Sequence, residues 1–206
     1  MLSVKEFTFS PLYENTYILY NETGDAWIID PGCYTDEEKR KLGDFIAAKG
    51  LKPIALLNTH CHLDHVFGNQ WVHMQYGLSL QLHPNEQRVL ELSPAAGLMW
   101  NMPFETYQGP LHMLQAGEVL PFGEDALEVL FVPGHSPGHV AFYCAKQQFM
   151  ISGDVLFRES IGRTDLPGGN HAQLIQSIRN VLFTLPEETV VYSGHGMPTT
   201  IGHEKR

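Results

Sequence analysis

The sequence of 206 residues predicts a mixed fold of the α/β (α+β) class, in which β-sheets are flanked by helices. Short apolar runs recur along the whole chain, and segments with helical spacing lie between them. No internal repeat, low-complexity stretch or Ser/Gly-rich linker divides the chain. We therefore expect a single domain that spans residues 1–206.

Nine segments are predicted to be strands because they are short, apolar and in many cases rich in Val, Ile, Phe and Tyr. They are residues 4–9, 16–20, 26–30, 53–58, 79–82, 126–132, 139–144, 148–152 and 189–193.

Four helices are predicted between these strands. Thr35 and Glu38 have the spacing of a capping box, so the first helix should follow Thr35 and end near Gly50. The second should run from about residue 64 to residue 75, and the other two should begin near residues 84 and 170. Residues 93–121 are rich in Pro, Met and aromatic residues and are expected to be irregular, as a loop that shapes a pocket or as a surface excursion.

The composition excludes several classes of protein. The chain has 13 Lys and Arg against 23 Asp and Glu, a net charge of −10, and no basic run, so neither nucleic acid nor an anionic membrane is expected as a partner. No apolar stretch approaches the roughly 20 residues of a membrane helix. No secretory signal is visible, and three cysteines imply no disulfide framework, so a cytoplasmic protein is expected.

The strongest functional signal is the run H-x-H-x-D-H at residues 60–65, directly after an apolar segment. His60 and His62 lie two residues apart, so on an extended chain both side chains can reach one metal ion. Asp64 and His65 lie where a helix should begin and can face a second ion. Cys61 should point to the opposite side as a buried structural residue, with a thiolate ligand as the lesser alternative.

Three further residues share one context: His135, Asp154 and His195 each follow a predicted strand and a glycine. Glycine allows a sharp turn and a close approach. Because sites in such folds gather beyond strand ends, we expect these side chains to join those of residues 60–65. His139 is expected to pack beside the site.

This order of motifs resembles the metallo-β-lactamase superfamily. Residues 133–139 (PGHSPGH) and 161–169 (IGRTDLPGG) look like the glyoxalase II, or hydroxyacylglutathione hydrolase, branch, and residues 193–200 look like its short bacterial members. The resemblance implies a four-layer αβ/βα sandwich with two metal ions at one edge. The C-terminal glutathione-binding helical domain of full-length glyoxalase II enzymes is expected to be absent, since the chain ends 11 residues after His195.

The resemblance also implies the metal ligands, with Asp154 bridging the two ions. The first ion would take His60, His62, His135 and Asp154, and the second Asp64, His65, His195 and Asp154. Such nitrogen and oxygen donors suit two Zn²⁺ ions per chain, with Fe²⁺ or Mn²⁺ as alternatives. The thiolate-using β-lactamases have a cysteine at the second metal, so antibiotic hydrolysis is disfavoured.

The expected reaction is hydrolysis of a small-molecule thioester, S-lactoylglutathione or a related hydroxyacylglutathione, by attack of a metal-bound hydroxide. Asp64 would accept the proton of that hydroxide. Arg163 and Asp165 are expected to fix their loop as an ion pair, and Arg163 could instead meet a substrate carboxylate.

Three alternatives stay open. One is an iron-dependent persulfide dioxygenase, which would hold a single Fe²⁺ with His60, His135 and Asp154. A nuclease of the same superfamily would need a basic groove, which the sequence does not show. The third is a metal-binding protein without catalytic activity, although such a protein would not need a coordination position on the metal that is open to water. The oligomeric state is left open.

Overall fold

Two six-stranded sheets form the centre of the protein in the computed structural model, which describes residues 1–206. The first sheet has the spatial order β1 (Ser3–Phe9), β2 (Glu14–Tyr20), β3 (Asp25–Ile29), β4 (Lys52–Leu57), β5 (Leu80–Leu82) and β6 (Leu111–Met113). Its first three strands are antiparallel, and β3 to β6 run parallel.

The second sheet is antiparallel except between two of its strands, β10 and β13. Its strands are β7 (Val119–Phe122), β8 (Asp125–Phe131), β9 (Val140–Cys144), β10 (Phe149–Gly153), β13 (Val190–Ser193) and β14 (Thr199–Thr200). A separate hairpin consists of β11 (Leu156–Phe157) and β12 (Ser160–Ile161).

Six α-helices accompany the strands, five of them between strands and the last after β14. They are α1 (Asp36–Ala48), α2 (Leu63–Val66), α3 (Asn69–Tyr76), α4 (Gln87–Met99), α5 (His171–Asn180) and α6 (Ile201–Glu204). None of them has the length and hydrophobicity needed to cross a bilayer.

The main core lies between the two sheets. Leu19 and Trp27 from the first sheet share a buried cluster with Phe142 and Ile151 from the second. The Trp27 ring stacks on that of Phe122 with centroids 4.4 Å apart, in the offset-stacked range that favours aromatic pairs.

Each sheet also buries its outer face under helices. On the first sheet, Ile28 and Leu56 pack with Leu42 of α1 and Val72 of α3. On the second sheet, a further cluster joins strand residues to Ile178 and its neighbours on α5. The layers therefore run helix, sheet, sheet, helix, which confirms the predicted sandwich. All nine predicted strands are present to within two residues at each end, whereas the short strands β6, β7, β11, β12 and β14 were not predicted.

The structure corrects the predicted helix at residues 64–75, which is two helices, α2 and α3. The chain turns at Gly68, whose N–H donates to Pro31 O at 2.7 Å. A Cβ atom at Gly68 would meet the Pro31 oxygen and the Cys33 sulfur. The close approach to residues 31–33 thus needs glycine there and interrupts the helix.

The expectation of irregular structure over residues 93–121 is wrong for much of that segment. Helix α4 begins after a 3₁₀ turn at Pro84–Glu86 and continues through Pro94 to Met99, and β6 and β7 follow. Pro94 has no N–H for the carbonyl of Leu90, but the Ser93 hydroxyl donates to that carbonyl at 2.7 Å. The helix therefore tolerates an internal proline that normally breaks it.

Candidate metal centre

Four strand ends meet at one edge of the sandwich and bring the predicted ligands together. His60 follows β4, His135 follows β8, Asp154 follows β10 and His195 follows β13. The first strand belongs to one sheet and the other three to the second, so the site lies where the two sheets meet.

The first group of side chains contains three imidazoles. Nδ1 of His62 lies 2.8 Å from Nε2 of His135, which lies 3.2 Å from Nε2 of His60. Oδ2 of Asp154 lies 3.6 Å from the same His135 nitrogen. Ligand atoms around a tetrahedral Zn²⁺ with bonds of about 2.0–2.1 Å are about 3.3 Å apart, so this group has the spacing of a metal site.

The second group lies on the other side of Asp154. Oδ2 of Asp64 is 3.2 Å from Nε2 of His195 and 3.9 Å from Nε2 of His65. Oδ1 of Asp154 is 3.5 Å from the His65 nitrogen, and its Oδ2 is 3.5 Å from that of His195. The carboxylate of Asp154 thus faces both groups.

Hydrogen bonds on the outer side of the imidazoles determine which nitrogen faces the site. Nδ1 of His135 lies 2.7 Å from Arg163 O, and Nδ1 of His195 lies 3.0 Å from Tyr13 O. A carbonyl only accepts, so this network assigns the proton to Nδ1 and leaves a lone pair on each Nε2.

Asp30 orients the rings of the buried residues His60 and His65. The sequence analysis did not identify this role. Its carboxylate accepts from Thr59 N at 2.7 Å, Thr59 Oγ1 at 2.6 Å and Asn58 Nδ2 at 3.1 Å. Nδ1 of His65 lies 3.1 Å away. Because the Thr59 hydroxyl donates to Asp30, it can accept from Nδ1 of His60 at 3.1 Å. Both imidazoles therefore also direct Nε2 toward the site.

Two buried atoms at the centre have no hydrogen-bond partner, Nε2 of His65 and Oδ1 of Asp154. A lone pair facing a carboxylate is unfavourable, and buried polar groups are rarely left unpaired. Cations would satisfy both atoms, so the donor set fits metal ions.

The charges of the imidazoles differ between the two groups. Burial lowers the pKa of His60 well below its usual value and that of His62 to about 3. Burial would also lower the pKa values of His65 and His195, but nearby carboxylates raise both, so in the absence of a cation these two imidazoles take up a second proton that a metal ion would displace. Burial would raise the pKa of Asp154, but the neighbouring histidines, His65 foremost, hold it well below its usual value.

Gly153 and Gly194, which precede the candidate ligands Asp154 and His195, lie so close to other site residues that no side chain fits there. A Cβ atom at Gly194 would meet Asp154 Oδ1 and would lie 2.8 Å from a carbon of the His65 ring. Gly153 has a φ of 53°, and a Cβ there would lie 2.7 Å from the His139 ring. The backbone can reach the site at these points only without a side chain.

Glu86 is a second residue that the sequence analysis missed. It is fully buried, and its carboxylate accepts from Cys61 N at 2.8 Å, Ser136 Oγ at 2.5 Å and Gly138 N at 2.7 Å. Its partners belong to the two loops that carry the first group of histidines, so Glu86 ties those loops together. A single Glu between Asn85 and Gln87 gives no pattern that would reveal this role.

His139 supports the site, as expected. Its Nε2 accepts the Asp154 N–H at 3.0 Å, and its ring stacks on that of His60 with centroids 4.6 Å apart.

Arg163 and Asp165 form the expected ion pair through two 2.7 Å hydrogen bonds at an exposed position. The Arg163 side chain holds its loop, and its carbonyl orients His135.

Cys61 is fully buried in the apolar cluster beneath the first sheet, as the sequence predicted. Burial raises the pKa of its thiol well above the usual value. The side chain is thus a neutral part of the core.

We expect Cys61→Ser to keep turnover and metal content within a few-fold of wild type. The buried hydroxyl should lower the free energy of unfolding by about 1–3 kcal/mol, since it replaces an apolar group. Elemental analysis and denaturant unfolding measure the two effects, and loss of metal from this variant would show that the thiol is a ligand.

Comparison with known proteins agrees with this geometry. A family model described as the metallo-beta-lactamase superfamily matches residues 10–195. The chain is 40% identical over 192 residues to the probable metallo-hydrolase YqgX of Bacillus subtilis, with 93% of this chain and 89% of the relative covered. It is 32% identical over 207 residues to the hydroxyacylglutathione hydrolase GloC of Haemophilus influenzae, with 100% and 96% covered.

Two solved structures are similar over nearly the whole chain. The B3 metallo-beta-lactamase BLEG-1 has a TM-score of 0.90 and 40% identity, with 98% of this chain and 96% of that chain covered. TTHA1623 in a di-iron-bound form has a TM-score of 0.89 and 39% identity, with 98% of each covered. The chain therefore belongs to the metallo-β-lactamase superfamily.

Proposed function

We propose that this chain is a two-metal hydrolase that cleaves a thioester of the hydroxyacylglutathione class, with S-lactoylglutathione as the representative substrate. The observation that carries the proposal is the convergence of two groups of imidazole nitrogens and carboxylate oxygens on either side of Asp154. The similarity to GloC supports the substrate class.

In this proposal each ion takes four side chains. One ion is held by His60, His62, His135 and Asp154, and the other by Asp64, His65, His195 and Asp154. When bound, the ions polarise a carbonyl oxygen and lower the pKa of water. The donors suit zinc, iron or manganese; zinc is the first choice, and the di-iron form of TTHA1623 supports iron as an alternative.

The remaining steps depend on the chain itself. Burial would raise the pKa of Asp64, but the neighbouring His65 and His195 lower it, so the carboxylate is ionised and can accept a proton from an attacking water. A thiolate is a weak base, with a thiol pKa of about 8.5. The leaving group therefore needs no strong acid from the protein.

Hydrolysis of S-lactoylglutathione tests the proposal. Protein reconstituted with Zn²⁺ should release glutathione with a kcat/KM of at least about 10⁴ M⁻¹ s⁻¹, within the usual range of enzymes. Removal of metal with a chelator should abolish the activity, and added Zn²⁺ should restore it. Absence of thiol release from metal-replete protein would contradict the proposal.

Two competing activities are measured in the same experiment. The similarity to BLEG-1 makes β-lactam hydrolysis the second candidate, which a chromogenic cephalosporin detects. Oxygen uptake with glutathione persulfide in Fe²⁺-loaded protein would instead indicate a dioxygenase. Faster turnover of either compound than of the thioester would overturn the assignment of substrate.

A further inference from the structure

The ligands of the second group differ in how firmly packing holds them. The His65 side chain is 0% exposed and that of Asp64 is 13% exposed, whereas that of His195 is 29% exposed. His195 follows the last residue of β13 by only two positions and lies outside any helix or strand. Something other than core packing must hold its imidazole in place.

Residues 13–15, the last residue of the β1–β2 turn and the first two residues of β2, contact this loop closely. We name them the N-terminal clamp. The Tyr13 carbonyl accepts from Nδ1 of His195 at 3.0 Å, and Glu14 and His195 form an isolated antiparallel bridge. The backbone N–H of Asn15 donates to Gly194 O at 2.7 Å.

The side chain of Asn15 completes the contact. It is 1% exposed, and its Nδ2 donates to Ser193 O at 3.1 Å and to Gly196 O at 2.8 Å. Its Oδ1 accepts from the Thr8 hydroxyl at 3.1 Å. One amide thus binds the carbonyls on both sides of His195, and both of its N–H donors and its oxygen are used.

The first group is held separately. Glu86 joins the loops that carry His60, His62 and His135, and the clamp makes no hydrogen bond to those three residues. Apart from Asp154 and Asp30, which serve both groups, the two halves of the centre therefore depend on different parts of the chain.

We propose that Asn15 is a positioning residue that sets the affinity of the second metal ion alone, by holding the loop that carries His195. The inference rests on the two-metal assignment of the proposed function. Partners of metal ligands typically change metal affinity by about 10–100-fold when they are removed. An effect of this size should appear for one ion and not for the other.

Asn15→Asp is the informative variant because it keeps the shape but removes both donors, so a carboxylate would face two carbonyls. Added negative charge alone would tighten cation binding, whereas loss of the clamp should weaken it, so the two explanations predict opposite signs. Titration of metal-free protein with Zn²⁺ against a chromophoric chelator should show one equivalent at wild-type affinity and one weakened about 10–100-fold.

Combined variants identify the equivalent that is lost. Asn15→Asp added to His195→Ala should cause no further loss, whereas Asn15→Asp added to His62→Ala should weaken both equivalents. Asn180→Asp, at the exposed end of α5, is the matched control and should bind both ions normally. If Asn15→Asp does not fold, Thr8→Val, which leaves the Asn15 oxygen without its donor, should weaken the same equivalent by a smaller factor.

Two unchanged equivalents, or an equal loss of both, would overturn the role of Asn15. The titration uses no substrate, so its result is separate from the assay of thioester hydrolysis. Wild-type protein that binds two ions but leaves the thioester intact would refute the proposed substrate and leave the clamp in place.

Discussion

Asp154→Ala should bind neither metal ion normally and should lose at least about 1,000-fold in kcat/KM, because bound ions contribute several kcal/mol to catalysis and each 1.4 kcal/mol is tenfold. Its two carboxylate oxygens face imidazoles of both groups at 3.5–3.6 Å. Among the seven proposed ligands, Asp154 alone is assigned to both ions, so none of the others can replace it. Elemental analysis and the S-lactoylglutathione assay measure the two losses.

Asp165→Ala is the control for this variant. Asp165 is exposed and pairs with Arg163, which holds the pKa of its carboxyl at about 2. Removing it deletes a carboxylate near the site without removing a proposed ligand, so both ions should remain. Near-normal metal content in Asp154→Ala would refute the bridging role.

Asp30→Ala should affect both folding and metal binding. The change leaves the Thr59 N–H, the Thr59 hydroxyl and the Asn58 amide without their buried acceptor. Removing the charged partner from a buried network typically costs about 3–5 kcal/mol, so we expect the free energy of unfolding to fall by about that amount. His65 loses its partner, and the Thr59 hydroxyl that orients His60 loses its acceptor, so the affinity for each ion should fall by about 10–100-fold.

Asp125→Asn separates these effects. Asp125 is also buried, but it pairs with Lys146 at 3.1 Å at the start of β8. This variant should lose stability and keep both metal affinities, as measured by urea unfolding and by Zn²⁺ titration. Normal metal binding by folded Asp30→Ala would show that Asp30 serves the fold alone.

The sequence predicted most of the fold because hydrophobic patterning is local. Each strand is a short apolar run, and the capping residues of α1 and α5 are visible as Thr35 and Asn170. The break at Gly68 and the helix through Pro94 were missed because both depend on single contacts. One is the approach of Gly68 to Pro31, and the other is the Ser93 hydroxyl on Leu90 O.

The candidate ligands were also visible in the sequence, because four of them form the H-x-H-x-D-H run and the other three each follow a predicted strand and a glycine. The residues that orient them were less visible. Asp30 has part of the same signal, since it follows β3 and precedes Pro31, but it was assigned to the strand itself. Glu86 and Asn15 have no local signal. Their partners lie 25–52 and 178–181 residues away, so only the folded chain reveals them.

In the proposed centre seven side chains, including the bridging Asp154, hold two cations. A crystal structure of Zn²⁺-loaded protein with anomalous data at the zinc edge tests it most directly. We expect two anomalous peaks, one bonded to His60, His62 and His135 and the other to Asp64, His65 and His195. Asp154 should contact both. A single peak, or a second peak remote from His195, would contradict the two-metal account.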